Sequence, residues 1–281
     1  MQDARDVGAK VAGLVIGCRK CGTTWLYENF LADPDVCVSR KVKESGFFAR
    51  AGVGDDAYYE SLFPESPGRR VEVDSSLVYS DESPARIMAY NPQMKLVLVI
   101  RDPVEYAVSR YLHMQRKDQL PPARIPDLVA SDGVLRSELD YAAMLARFER
   151  FRAQGSLLVV PYSLLASDPA TFYRTVKGHL VGRNGSGFQP KAERVNVSRT
   201  SGWARVRGML SRAANAARRR RLHGVVNLAK RFGLHRLLEK PVDAGQLAAL
   251  RESVSRAVAA SHGASVELYR QIERQYAAGP D

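Results

Sequence analysis

The sequence predicts an α/β fold of three layers, a central, mainly parallel sheet flanked by helices. Three observations point to it. Apolar runs of strand length recur, most plainly Val11 to Ile16 and Lys95 to Ile100, and unbroken runs of that kind suit strands buried on both faces. Each is followed by turn residues and then by helical spacing, the alternation that builds parallel sheets. A length of 281 residues fits one large domain of this class, so residues 1–281 are taken as a single unit.

The elements follow in order. Val11 to Ile16 runs into Gly17 as the first strand, and Thr23 and Thr24 can cap a helix from Trp25 to Leu31, which Asp33-Pro34 stops. Val36 to Val38 and Arg69 to Val73 read as further short strands. Lys95 to Ile100 is the clearest strand, and Asp102-Pro103 after it opens a helix over Val104 to Gln115. Gln119 to Asp132 is rich in turn formers and reads as a loop. Glu138 to Gln154 has helical spacing, Leu157 to Val160 is a strand closed by Pro161, and Asp168-Pro169 starts a helix reaching about Leu180. Gly182 to Gln189 is a loop, and Gln246 to Tyr276 reads as one or two terminal helices.

Composition narrows the function classes. Hydrophobic residues at 45% and charged residues at 26% are those of a globular protein with an ample core. Three cysteines are too few for a disulfide framework, and Met1 to Lys10 has no apolar signal core, so a cytoplasmic location is expected. The net charge of +12 is concentrated: Arg199 to Lys240 holds twelve Arg or Lys and one acid, which leaves the rest at +1. That segment is either a solvated amphipathic face or a contact for an anionic surface, such as a membrane periphery. Few aromatics interleave with its basic residues, including Arg218-Arg219-Arg220-Arg221, which argues against nucleic acid.

The chemistry starts at Gly17-Cys18-Arg19-Lys20-Cys21-Gly22-Thr23-Thr24-Trp25. Strand, glycine-containing loop and helix together present backbone N–H groups and a positive dipole end to an anion, which makes the fold P-loop-like. The two glycines have nucleotide-loop spacing, but no Lys-Ser/Thr follows the second; the lysine sits two residues before it. A magnesium-dependent NTPase needs that lysine and hydroxyl in register, so this loop is built for another phosphate chemistry. Cys18 and Cys21 also form a Cys-x-x-Cys, but without a second pair or a nearby His, zinc is not expected.

Arg19-Lys20-Cys21-Gly22-Thr23-Thr24-Trp25 resembles the loop of sulfotransferases that use 3′-phosphoadenosine-5′-phosphosulfate (PAPS). Ile100-Arg101-Asp102-Pro103, with Ser109 eight residues after Arg101, resembles the same family's 3′-phosphate site. Asn91 to Leu96, Tyr162 to Pro169 and Val195 to Ser198 also look like segments of carbohydrate-type and bacterial members. The resemblance implies sulfuryl transfer to an acceptor hydroxyl without a metal, releasing 3′-phosphoadenosine-5′-phosphate (PAP). It implies that Lys20 stabilises the leaving phosphate, that Arg19, Cys21, Gly22, Thr23 and Thr24 cradle the 5′ end, and that Trp25 stacks on adenine. Arg101 and Ser109 would flank the 3′-phosphate. Ser198 and Arg199, with Arg205, would belong to a loop covering the donor, so that 199–245 is a basic, mostly helical, cofactor-covering and acceptor-side segment.

The acceptor side is read from Lys43-Glu44-Ser45-Gly46-Phe47-Phe48, which looks like the Lys-Glu-x-x-Phe-Phe segment of sugar sulfotransferases, with Glu44 as general base and Lys43 beside the substrate. His113 is a lesser candidate near the acceptor. Glu72-Val73-Asp74-Ser75-Ser76 departs from the family, which carries a lysine here; Asp74 either binds substrate in its place or closes the strand. A saccharide or glycolipid hydroxyl is the first expectation for the acceptor, a lipid or natural-product hydroxyl the second.

Overall fold

A computed structural model describes residues 10–116, 128–129, 133–182, 185, 187–191, 200–201, 239–240 and 244–277. Five parallel strands make the central sheet: β1 (Gly13–Gly17), β2 (Val36–Cys37), β3 (Arg69–Val73), β4 (Lys95–Ile100) and β5 (Leu157–Pro161), in the spatial order β2-β3-β1-β4-β5. All the pairings are parallel, so all five C-terminal ends lie along one edge. β1 sits in the middle and the order reverses across it, which opens a crevice beyond its C-terminal end where ligands of such sheets bind.

The helices are α1 (Thr23–Phe30), α2 (Asp56–Glu60), α3 (Ser83–Tyr90), α4 (Pro103–Arg116), α5 (Gly133–Leu139), α6 (Tyr141–Arg147), α7 (Glu149–Ala153), α8 (Tyr162–Ser167), α9 (Pro169–Val181), α10 (Ala244–Ser261) and α11 (Gly263–Ala277). A 3₁₀ turn at Leu77–Tyr79 follows β3. Val15, Ile16, Leu96, Val97 and Val99 are wholly buried, as central strands covered on both faces must be. Thr200–Ser201 and Glu239–Lys240 pair as a two-residue antiparallel ladder, β6 with β7.

Every expected strand is present. The helix expected over Glu138 to Gln154 is instead the end of α5 followed by the short α6 and α7, because Asp140 caps α6 by accepting from the Ala143 N–H and Phe148 breaks the helical path. The terminal pair divides at His262. α2, α3 and α8 carried too little periodicity to be anticipated. Most of the loop expected over Gln119 to Asp132 lies outside the described residues. No described helix is long and apolar enough to cross a membrane.

Candidate active site

The phosphate loop grows directly out of β1. The Cys18 N–H donates to the Val99 carbonyl at 2.7 Å, which ties the loop's start to β4. Gly17 lies so close to the 3₁₀ turn that a Cβ would sit 2.5 Å from Val78 Cγ1. Gly22 precedes α1 at φ 81°, and a Cβ there would meet Leu165 Cδ2 at 2.4 Å. Gly17 is therefore favoured by space against the stiff Val78, and Gly22 by its left-handed backbone. No side chain caps α1, which leaves its first N–H groups facing the crevice as an anion site needs.

Lys20 stands at φ 63°, a left-handed conformation that costs a non-glycine residue about 1 kcal/mol. Strain of this kind persists where surrounding structure enforces it. Here Cys18 and Cys21, both fully buried, anchor the loop on either side. Burial, and then the neighbouring Cys18, push the Cys21 thiol up, so it stays protonated and offers only its backbone.

Arg101 reaches the loop from the end of β4. Its Nη1 donates to the Lys20 carbonyl at 3.4 Å, its guanidinium lies 4.8 Å from the Tyr162 ring centre, and its own carbonyl accepts from the Tyr141 hydroxyl at 2.6 Å. Ser109, buried on α4, has no hydrogen-bond partner among the described residues. The Arg101 donors are loosely held, as those of a guanidinium open to an anion would be.

Two expected donor contacts lie elsewhere. The Arg19 guanidinium turns to Glu138, Nη1 to Oε1 at 2.9 Å, and stacks on Tyr79 at 4.6 Å. Glu138 is 2% exposed and also takes a fork from Arg110, at 2.7 and 3.1 Å, and the Tyr106 hydroxyl at 2.9 Å. The Tyr79 hydroxyl accepts from the Arg19 N–H and meets the Tyr106 hydroxyl at 3.1 Å. This network joins the loop to α4 and α5. Its only trace in the sequence is the i,i+4 spacing of Tyr106 and Arg110 on one helix face.

Trp25 is 4% exposed, packed edge-on against Phe172 and Tyr173, and its indole N–H donates to the Lys191 carbonyl at 2.9 Å. The Lys191 N–H donates in turn to Asn29 Oδ1 at 2.8 Å. In this structure Trp25 is a core residue, not the open adenine platform expected from the sequence.

Glu44 stands on the other flank of the loop. Lys43 Nζ donates to Glu44 Oε1 at 3.2 Å and to Thr23 Oγ1 at 3.5 Å, and the Ser75 hydroxyl donates to the same carboxylate oxygen at 2.8 Å. Partial burial opposes its charge, but Lys43 and the Ser75 hydroxyl outweigh that and hold the carboxyl below the usual range. Residues 43–49 have no regular structure and are pinned from outside. Glu72 accepts the Ser45 N–H at 2.8 Å and Asp74 the Gly46 N–H at 3.0 Å. Arg86 and Ser83 donate to the Phe47 and Phe48 carbonyls, and the Phe47 ring stacks on Tyr59 at 4.3 Å.

Of the two readings of Asp74, the geometry supports the second, closing the strand. It is wholly buried, and its other oxygen accepts both the N–H and the hydroxyl of Ser76 at 2.9 and 2.6 Å, so it fastens the chain just beyond β3. His113 is half-buried on α4, four residues beyond Ser109. Ser198, Arg199 and Arg205 lie outside the described residues, as does most of the basic segment. Among the described residues no three His, Cys, Asp or Glu side chains gather to hold a metal ion.

Known proteins are similar to this chain. The heparan sulfate glucosamine 3-O-sulfotransferase 3A1 of Mus musculus is 31% identical over 188 residues, 62% of this chain and 47% of its own. The Homo sapiens protein of the same description is 34% identical over 178 residues, 59% of this chain and 43% of its own. The chain thus spans a little under half the length of these curated relatives. A solved sulfotransferase from Alicyclobacillus acidocaldarius superposes with a TM-score of 0.57 at 21% identity, over 67% of this chain and 87% of that one, a likeness of fold. The family described as Sulfotransferase domain matches residues 12–177. That span runs from β1 into α9, holds the phosphate loop, Glu44, Arg101 and Ser109, and exceeds half of the chain: the protein belongs to the sulfotransferase domain family.

Proposed function

We propose that the protein transfers a sulfuryl group from PAPS to a saccharide hydroxyl, with Lys20 and Glu44 as the catalytic residues. The observation that carries this is the Lys43 ammonium, which spans the Thr23 hydroxyl of the donor loop and the Glu44 carboxylate. It brings a carboxylate beside the loop read as the anion cradle, which supports Glu44 as the base. Glu44, ionised at neutral pH, takes the acceptor's proton as the acceptor oxygen bonds to sulfur. The bond from sulfur to the bridging oxygen breaks, PAP leaves, and Lys20 stabilises the charge that grows on that oxygen. α1's open N–H groups hold the 5′-phosphate, and Arg101 with Ser109 the 3′-phosphate.

The saccharide class is supported by the heparan sulfate relatives and by the Lys43 to Phe48 segment. The whole chain is read as one catalytic unit, cytoplasmic, with 199–240 gathering an anionic or lipid-linked acceptor beside the donor. The test is transfer of radiolabelled sulfate from PAPS to heparan-type oligosaccharides, glycolipids and phenols. Saccharide or glycolipid labelling is expected, with turnover falling about 100-fold or more in Glu44→Gln. Labelling confined to phenols sinks the acceptor class, and full turnover in Glu44→Gln sinks the base.

A further inference from the structure

Arg101 is held weakly for an arginine at the end of a buried strand. Its two hydrogen bonds to neighbouring groups are long, 3.4 Å to the Lys20 carbonyl and 3.5 Å to Glu105 Oε2. Glu105 lies one turn along α4 and would compete with any phosphate for that guanidinium. It has a second partner from a distant part of the chain. Arg251, on α10, forks onto it, Nε to Oε1 at 2.8 Å and Nη2 to Oε2 at 3.3 Å. Both carboxylate oxygens are drawn to Arg251, with Arg101 left the longer contact. The family match ends at residue 177, so nothing in it assigns a role to Arg251.

We propose that Arg251 is a positioning residue for recognition of the donor's 3′-phosphate, acting by neutralising Glu105 and holding it off Arg101. This rests on Arg101 being the 3′-phosphate ligand. A phosphate at Arg101 adds negative charge close to the Glu105 carboxylate, and that repulsion falls directly on donor affinity unless a cation offsets it. Arg251 supplies the cation with a planar fork that matches the carboxylate. Without it, Glu105 closes further on Arg101, and the phosphate has to break a tighter ion pair than the present 3.5 Å contact. The triad is partly exposed, at 19% for Arg101, 35% for Glu105 and 49% for Arg251. The effect therefore shrinks as salt rises.

The experiment is calorimetric titration of the full chain with PAP and with adenosine 5′-monophosphate, which lacks the 3′-phosphate. Arg251→Ala is expected to weaken PAP about tenfold, a usual size for coupling between neighbouring charged sites, and to leave the monophosphate within about twofold. In a Glu105→Gln background the same substitution is expected to cost less than about threefold, since no carboxylate remains to be held. Equal losses for both nucleotides would make Arg251 merely structural and overturn the proposal. So would no loss at all. A tenfold loss persisting in the Glu105→Gln background would mean direct contact with the phosphate, which also overturns it. Arg251→Gln, which keeps the helix and much of the side chain, gives the same comparison if the alanine variant unfolds. Arg101→Ala separates the underlying reading: if it fails to weaken PAP selectively, the 3′-phosphate assignment falls. If it does weaken PAP selectively while Arg251→Ala does nothing, only the present proposal falls.

Discussion

The phosphate loop, proposed to hold the donor, and the 43–49 segment, proposed to serve the acceptor, meet through Lys43 and Thr23 but are built in opposite ways. The loop is backbone architecture: Gly17 favoured by space and Gly22 by its left-handed backbone, a strained Lys20, and the uncapped start of α1, all within a few residues of β1. The acceptor segment, 43–49, has no secondary structure and takes its shape from side chains on β3, α2 and α3. A backbone cradle tolerates loss of one side chain in binding, because many N–H groups share the anion. A segment fastened by a few buried carboxylates does not. The two halves should therefore fail differently under mutation.

The largest effect is expected at the donor loop, in chemistry and not in binding. Lys20→Ala should lower kcat about 100- to 1,000-fold, the usual cost of removing a group that stabilises developing oxyanion charge. PAP affinity should change only by about tenfold or less, since N–H groups and Arg101 still hold both phosphates. Steady-state kinetics with parallel PAP titration checks it. A collapse of PAP binding would show that the loop depends on its lysine and would erase the contrast.

Asp74→Asn is the counterpart on the acceptor side. Asp74 accepts from three donors, the Gly46 N–H and the N–H and hydroxyl of Ser76. An amide places an NH₂ group against one of those donors in a site without water access, at about 1–3 kcal/mol of stability. The Gly46 backbone should loosen and Glu44 with it, so kcat should drop about tenfold or more while PAP affinity holds. Urea unfolding and PAP titration on one preparation separate the two effects. Unchanged turnover with the expected loss of stability would show that Glu44 needs no fastening from β3.

That asymmetry also decided what could be read from the sequence. Gly17, Lys20 and Gly22 could be placed in one loop because a strand, a turn and a helix are contiguous along the chain. Arg101, Lys43 and Glu44 were singled out only through a resemblance to related segments. The supports of the 43–49 segment were not legible: Glu72, Tyr59 and Arg86 come from three elements and meet it only after folding. Asp74 shows the limit most clearly, since a carboxylate at a strand end reads alike whether it faces substrate or the interior. Trp25 fails for a related reason. Its motif implied an open face, but Phe172, Tyr173 and Lys191, distant in sequence, cover it. Arg19 was drawn away by Glu138, more than a hundred residues on, which no local pattern announces.

The last expectation, which changes no residue, tests how dry the acceptor segment's foundation is. Glu72 is buried, and that burial, reinforced by Asp74 beside it and opposed by hydrogen bonds from Ser45 and Tyr59, pushes its carboxyl up to about 7. In the unfolded chain it titrates near the ordinary 4.5. Between those values the folded state keeps a proton that the unfolded state has released, so stability falls as pH rises through that window. Glu44 works in the other sense: its depressed carboxyl contributes stability above the usual carboxylate range, lost as pH falls through its folded value. Unfolding free energy should accordingly rise as pH is lowered from 8 to 5, by roughly 2–3 kcal/mol from Glu72, before the loss from Glu44 sets in. Chemical denaturation at several pH values reads this directly. A flat profile across that range would mean water reaches Glu72, and that the acceptor segment rests on a solvated support as open as the donor loop.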